Sequence, residues 1–473
     1  MERVGRKHCT NDLGAFRAAA RNSAQQRRLH TAGLLAFCLL LAVLAVAFPP
    51  GAPARAEALT VSVSYQAPQC GTPTAFTVDA TGGSGTYQYM LQCVYAVEAD
   101  GTQTLVTDPS ASAFWANPSQ CPYGVYKATN TFEFTFWTSG TYRVYFYALD
   151  QGSSPITYKR QVETITINDP AHPSTATLAA NIAAECAAAG CETSYEKALW
   201  LHDWVIDHCT YDNTHLYCGA EGALARGTGT CEAYHRAYAL LLNTAGVENG
   251  RMEGNGHVWT AVNMDGAWYQ VDTTWDDPGY TSTVADVQHL YFGLTDAIML
   301  LVHSDHTPQA GYESNALACN YFIRSGEIAP FTALYTENVQ AQLDAGATAF
   351  TLPSALTGEA AAYARVLNNL VAYQLENTAW TARGAACTIS AAYDAASAQF
   401  SFTAFAGVKG DVNGNGVLNV VDAQMAYDMA CGVYAPADLP ESAWAAANVD
   451  GEAGVTANDA RAIQHAIHHG WPA

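Results

Sequence analysis

Three residues at separate points of the chain carry side chains that together could perform nucleophilic acyl chemistry: Cys231, His257 and Asp272. A thiol attacks as thiolate, an imidazole can take its proton, and a carboxylate can orient that imidazole and stabilise its charge. Cys231 stands where glycine-rich chain, GTGT, runs into a helical pattern that stops at Gly246. The positive end of a helix dipole at that point favours thiolate. His257 and Asp272 flank Asp265-Gly266, a two-residue hairpin signal between alternating runs. With Met264 opposite Ala267, Trp259 faces Asp272 and His257 faces Thr274. His257 and Asp272 then share one sheet face as diagonal neighbours, within side-chain reach.

Each residue has a plainer reading. Cys231 could be half of a disulfide, His257 a satisfied core histidine and Asp272 a turn or cap residue. Their order, and the hairpin that joins two of them, favour chemistry. The segments GTCEAYHRAYALLLNTAG, GHVWTAV and WYQVDTTWDDP resemble the Cys, His and Asp motifs of the transglutaminase-like superfamily, whose fold is related to papain. KALWLHDWVIDHCTYD before them and HLYFGLTDAIMLLVHSDH after them resemble the flanks of bacterial members, so the resemblance spans roughly residues 180–320. It implies Cys231 as nucleophile, His257 as general base and acid, and Asp272 as its orienter. It also implies the Cys231 backbone N–H as one oxyanion donor, with Tyr211 as a candidate second. Trp259 and Trp275 are read first as packing. The same set can attack a glutamine carboxamide or a peptide bond, and the acyl-enzyme can pass to an amine or to water.

A second constellation lies near the C-terminus. GDVNGNGVLNVVDAQMAYDMACG places Asp411, Asn413, Asn415, Asn419 and Asp422 at positions 1, 3, 5, 9 and 12 of a calcium loop. The Val417 carbonyl falls at position 7 and Gly416 at the sharp turn. A shift of 37 residues places Asn448, Asp450, Glu452, Gly454, Thr456 and Asp459 in the corresponding places. An Asx-rich surface turn explains one such loop better than two, each leading into a helix. Paired loops with Asp at position 12 resemble the type I dockerin module, over about Gly410–Gly470. The resemblance implies calcium and docking to a cohesin on a scaffold or cell-surface protein, as in polysaccharide-degrading complexes. Asn448 in place of Asp, and Ala453 in place of Gly, depart from that pattern in the second loop.

The elements that must position these residues follow from the rest of the chain. At 473 residues it suggests several domains. Leu59 to about Asn168 alternates apolar and polar residues in LTVSVSY, FTVDA, YQYMLQCVYAV, TFEFTFW and TYRVYFYAL, between Gly, Pro, Ser and Asn clusters. Short strands at this spacing read as an immunoglobulin-like β-sandwich. After the linker DPAHP the pattern turns helical, and Thr193-Ser194-Tyr195-Glu196 reads as a capping box. The expected organisation is a signal peptide at 1–56, the sandwich at 57–168, and an α+β transglutaminase-like (papain-like) core at 174–335. A small α+β unit at 336–406 and an all-α calcium-binding dockerin at 410–470 complete it.

Composition bounds the remaining functions. Residues 1–56 hold eight Lys/Arg against two Asp/Glu, and the rest of the chain 13 against 41. So acidic a chain is a poor match for nucleic acid, whose binding depends on neutralising phosphates. Ala32–Phe48 is a 17-residue apolar run after a basic stretch, with Ala54-Arg55-Ala56 as a cleavage signal. That reads as an export leader, cleaved to give a secreted or cell-surface protein, with membrane contact only through a retained leader. Thirteen cysteines fit an oxidising compartment. Removing Cys9 and Cys38 with the leader leaves an odd number, so at least one thiol is expected to stay free. Cys186/Cys191 and Cys209/Cys218 are local candidates for pairing. The expected function is cysteine-dependent acyl transfer or hydrolysis on protein or peptide substrates. A non-catalytic adhesin or assembly subunit, or an accessory part of a polysaccharide-degrading complex, is the alternative.

Overall fold

Alternation of apolar and polar residues makes the first part of the chain β. The computed structural model describes residues 57–111, 117–281, 288–303, 306–356, 361–383, 385–406, 408–414, 416–450 and 454–471. The leader, Asn415, Glu452 and Ala453 lie outside them. Seven strands come first: β1 (Thr60–Tyr65), β2 (Pro73–Thr81), β3 (Tyr87–Val97), β4 (Gln103–Leu105), β5 (Thr131–Thr135), β6 (Gly140–Asp150) and β7 (Thr157–Ile167). They form two antiparallel sheets, ordered β1-β2-β5 and β4-β3-β6-β7. The inward residues, among them Phe76, Leu91, Phe134 and Phe146, share one buried core between the sheets. Tyr142 donates its hydroxyl to the Thr138 carbonyl at 2.9 Å, tying the start of β6 to the turn before it.

Helices then surround a second sheet. Helix α1 (Thr175–Ala188) is capped by Ser174, and α2 (Ser194–His208) opens on a capping box between Thr193 and Glu196. A short parallel pair, β8 (Thr210–Tyr211) and β9 (Thr228–Gly229), leads into α3 (Cys231–Thr244). Four strands follow in simple order: β10 (Asn249–Gly254), β11 (His257–Met264), β12 (Ala267–Val271) and β13 (Phe292–Leu294). Asp265 (φ 52°) and Gly266 (φ 90°) make the β11–β12 turn, with Met264 opposite Ala267. Two positive φ values in succession are what a tight hairpin needs. Ala233, Tyr234, Ala237, Tyr238 and Leu241 bury one face of α3 against Val262, Tyr269 and Val271 of the sheet.

Helices α4 (Asp296–Val302), α5 (Tyr321–Ser325) and α6 (Ala329–Ala345) come next. After them β14 (Ala349–Pro353), α7 (Ala361–Glu376), β15 (Trp380–Ala382), β16 (Ala385–Asp394) and β17 (Gln399–Ala406) build a sheet ordered β14-β17-β16-β15. One buried cluster runs from Met252 and Trp259 to Phe400 and Phe402, so this sheet and β10–β13 share apolar contacts. The boundary drawn at 335/336 falls inside α6. Periodicity marks where a chain changes pattern, and the change there lies between helix and strand. The last helices are α8 (Val420–Ala430), α9 (Glu441–Ala447) and α10 (Ala457–His469), around a small core of Val412, Ala426, Met429, Ala447 and Ile463. Among the described residues no helix is long and apolar enough to cross a membrane.

Candidate active site

The approach to Cys231 is crowded enough to need glycine. A Cβ on Gly229 would lie 2.4 Å from the Ala233 Cβ, and one on Gly222 would lie 2.9 Å from the Thr228 carbonyl oxygen. The parallel pairing of Tyr211 with Gly229 fixes the chain two residues before the helix. Thr230 is the extended N-cap residue, so Cys231 opens the first turn of α3, where backbone N–H groups lack intrahelical acceptors. Its thiol is half-buried and free, and it hydrogen-bonds to the His257 ring.

His257 begins β11, directly after the Asn255-Gly256 turn, and Asp272 follows the last residue of β12. The His257 ring donates from Nε2 to Asp272 Oδ2 at 2.8 Å. With Nε2 engaged, Nδ1 is the ring nitrogen left for the thiol. Asp272 is fully buried, and its other oxygen accepts the backbone N–H groups of Thr274 at 3.0 Å and Trp275 at 3.1 Å. Burial disfavours the charge on His257, but the Asp272 carboxylate outweighs it and lifts the imidazole to about 10. Burial likewise opposes the Asp272 charge, and His257 and His303 more than compensate, holding the carboxyl well below the usual range.

His303 was not among the sequence candidates. It caps the C-terminus of α4 and donates from Nε2 to the same Asp272 Oδ2 at 3.0 Å. Its ring lies 4.4 Å from Trp259, near parallel at 5°, and 3.9 Å from Trp275. The tryptophans thus pack as expected, with His303 between them. A histidine ending an apolar helix was the only signal, and it names no partner.

A second chain of ionisable groups links α2 to the segment that follows β12. His202, fully buried on α2, reaches Asp203 Oδ1 from Nδ1 at 2.9 Å and Asp276 Oδ2 from Nε2 at 3.1 Å. His289 donates to Asp203 Oδ1 at 2.8 Å. Burial opposes charge on His202, and the two carboxylates overcome it, raising the ring to about 9. Among the described residues, three side-chain groups bring ligand atoms within 4.8 Å of one another: Cys70/Asp169/His172, His202/Asp203/His289 and His257/Asp272/His303. The contacts within them, such as 2.8 Å for His172 to Asp169 and 3.0 Å for His303 to Asp272, are hydrogen-bond lengths.

Among the cysteines, the eleven described are all free thiols. Cys186 and Cys191 lie within hydrogen-bond reach of each other. Cys209 hydrogen-bonds to Tyr234, whereas Cys218 donates to the Leu105 carbonyl at 3.3 Å, so the second local pair does not meet. In the C-terminal loops Asp422 and Asp459 are fully buried at the third position of their helices. Asp422 accepts from the Asn413 and Asn419 N–H groups at 3.1 and 2.9 Å. Asp459 accepts from Val449, Asp450 and Thr456 N–H groups at 2.8, 3.2 and 2.7 Å. Asp411 accepts from Gly416 N–H at 2.6 Å, and Asn419 donates to the Val417 carbonyl at 2.9 Å.

No curated protein matches the chain. A crystal structure of a TGase aligns at 18% identity and a TM-score of 0.19, over 21% of this chain and 31% of that one. A crystal structure described as a candidate protease from Parabacteroides distasonis aligns at 9% identity and a TM-score of 0.16, over 44% of this chain and 65% of that one. The chain therefore spans less than two thirds of either structure. Residues 180–273, which hold Cys231, His257 and Asp272, match the model of the Transglutaminase-like superfamily, so this part of the chain is similar to that superfamily.

Proposed function

We propose that this chain is an exported cysteine enzyme that transfers or hydrolyses acyl groups of protein or peptide substrates. The observation that carries the reading is Asp272 holding the His257 ring by Nε2 while the Cys231 thiol meets the same ring. The thiol proton passes to His257 and the sulfur adds to a carbonyl carbon. The Cys231 N–H supports the oxyanion, with Tyr211 beside it through its pairing with Gly229. His257 returns the proton to the departing nitrogen, the C–N bond breaks, and a thioester remains. An amine or water then attacks the thioester, giving its proton to His257 while the C–S bond breaks and the thiol re-forms. A glutamine carboxamide would release ammonia; a peptide bond would release an amine.

The other modules are read as delivery. The sheet orders β1-β2-β5 and β4-β3-β6-β7 and the Tyr142–Thr138 bond support an immunoglobulin-like reading of the sandwich. The C-terminal module is read as a dockerin for a cohesin-bearing scaffold or surface protein. Calcium would be held by Asp411, Asn413, Asn415, the Val417 carbonyl, Asn419 and Asp422, and by Asn448, Asp450, Glu452, the Gly454 carbonyl, Thr456 and Asp459. The buried Asp411, Asp422 and Asp459 among oxygen-rich loops fit a hard cation, which would supply charge balance and folding energy.

The test is mass spectrometry of a protein mixture incubated with wild type or with Cys231→Ala. New isopeptides, deamidated glutamines or cleaved bonds are expected with wild type alone. Products that persist with Cys231→Ala would sink the enzyme reading. Failure of Cys231 to alkylate rapidly with iodoacetamide would favour the non-catalytic adhesin.

A further inference from the structure

Asp272 Oδ2 is shared. It accepts His257 Nε2 at 2.8 Å and His303 Nε2 at 3.0 Å, while Oδ1 takes two backbone N–H groups. A carboxylate offers about four lone-pair sites, and all of them are occupied here. His303 itself is buried, with its ring between Trp259 and Trp275, and its orientation is fixed from both faces. Its backbone is held too: the N–H donates to the Met299 carbonyl at 2.7 Å, and the carbonyl accepts from His306 N–H at 3.0 Å.

We propose that His303 is a positioning residue for the Cys231–His257–Asp272 set, a neutral Nε2–H donor that locks the Asp272 carboxylate and limits how strongly it binds His257. The inference rests on the function proposed above and deepens it. The groups facing His303 are Asp272, His257 and His306, with the Tyr291 ring 6.3 Å away. Burial, reinforced by His257 and His306, keeps the His303 ring below its ordinary value against the pull of Asp272. The ring is therefore neutral at neutral pH. Since Asp272 can only accept, the proton sits on Nε2.

Two consequences follow from this arrangement. A second donor on Oδ2 fixes the carboxylate when His257 gains or loses its proton during the cycle. It also draws part of the carboxylate's charge away from His257. Without it, His257 would hold its proton more tightly and protonate a departing nitrogen less readily. Packing alone would predict something different. Phenylalanine fills the space of the ring between two tryptophans yet donates nothing, whereas glutamine can present an N–H near the Nε2 position.

The experiment compares wild type, His303→Phe and His303→Gln by the rate of Cys231 alkylation across pH, alongside nitrogen-15 spectra of the histidines. Loss of that hydrogen bond to the Asp272 carboxylate should displace the alkaline limb of Cys231 alkylation upward in His303→Phe, by about one pH unit. His303→Gln should bring the limb back most of the way to its wild-type position. In wild type at neutral pH, His303 should be a neutral Nε2–H tautomer while His257 is doubly protonated. A His303→Phe profile that overlays wild type overturns the proposal, as does a His303 found charged or protonated on Nδ1. The spectrum of wild type decides the matter even where His303→Phe does not fold. Slow, pH-independent alkylation of Cys231 in wild type would instead fail the proposed function itself, so the two failures are distinguishable.

Discussion

At the scale of single residues, the carboxylate of Asp272 determines how His257 behaves. The imidazole is lifted to about 10 although burial opposes its charge, while an unfolded histidine sits at ~6.5. A raised histidine contributes stability that is complete below ~6.5 and is lost as the pH climbs through about 10. Asp272→Asn removes the main support and leaves the burial, so the His257 value must fall. His257 then loses its second proton at lower pH. We expect the alkaline limb of Cys231 alkylation to move down from near 10 in Asp272→Asn, with a residual rate left because the base remains. An alkaline limb that stays in place would show that Asp272 does not hold the proton on His257. The residues brought together here were legible because a two-residue turn relates His257 to Asp272 by simple counting. His303 was not legible. It reaches Asp272 only after β13 and α4 have folded back, and neither spacing nor periodicity encodes that return.

At the scale of elements, what could be read was local. The Thr193 capping box, the Asp265-Gly266 turn and the alternating strands each depend on neighbours in sequence, and all form as expected. Sheet partners further away, such as β14 with β17, depend on which apolar faces meet, and the sequence pattern leaves that open. The two C-terminal helix entrances show how similar loops can differ. Asp422 is held by two backbone donors, whereas Asp459 takes three and also the Thr456 hydroxyl at 3.0 Å. Donors already bound to a carboxylate compete with a cation for it. Gly416, at φ 81°, also gives the first loop the turn it needs at position 6. We therefore expect calorimetry on the full chain to find the tighter calcium site lost in Asp422→Ala and retained in Asp459→Ala. The reverse order would show that the count of carboxylates, not geometry, sets affinity.

At the scale of the whole molecule, a buried ion pair is among the contacts by which the C-terminal helices meet the preceding body. Lys409 donates from Nζ to Glu376 Oε1 at 3.1 Å, and its ammonium lies 4.6 Å from the centre of the Trp471 ring. Trp471 in turn donates its backbone N–H to the Asn377 side chain at 3.3 Å, so both ends of the C-terminal module converge on the end of α7. Burial raises the Glu376 carboxyl, and Lys409 counteracts that rise. Lys409→Met would leave the carboxylate buried without its cation, a change that costs about 3–5 kcal/mol for a pair of this kind. A group raised in the folded state contributes stability below its unfolded value, ~4.3 for Glu, and loses it as pH rises. The penalty of Lys409→Met should therefore be largest at neutral pH and shrink on acidification, as Glu376 protonates. Adding Glu376→Leu should recover most of the loss at neutral pH, because two apolar side chains can replace a buried pair at little cost. Denaturant unfolding of the two variants at neutral and mildly acidic pH measures both effects. A Lys409→Met penalty that is the same at both pH values, and that Glu376→Leu does not relieve, would mean that Lys409 stabilises the junction by packing on Trp471 and not through its charge.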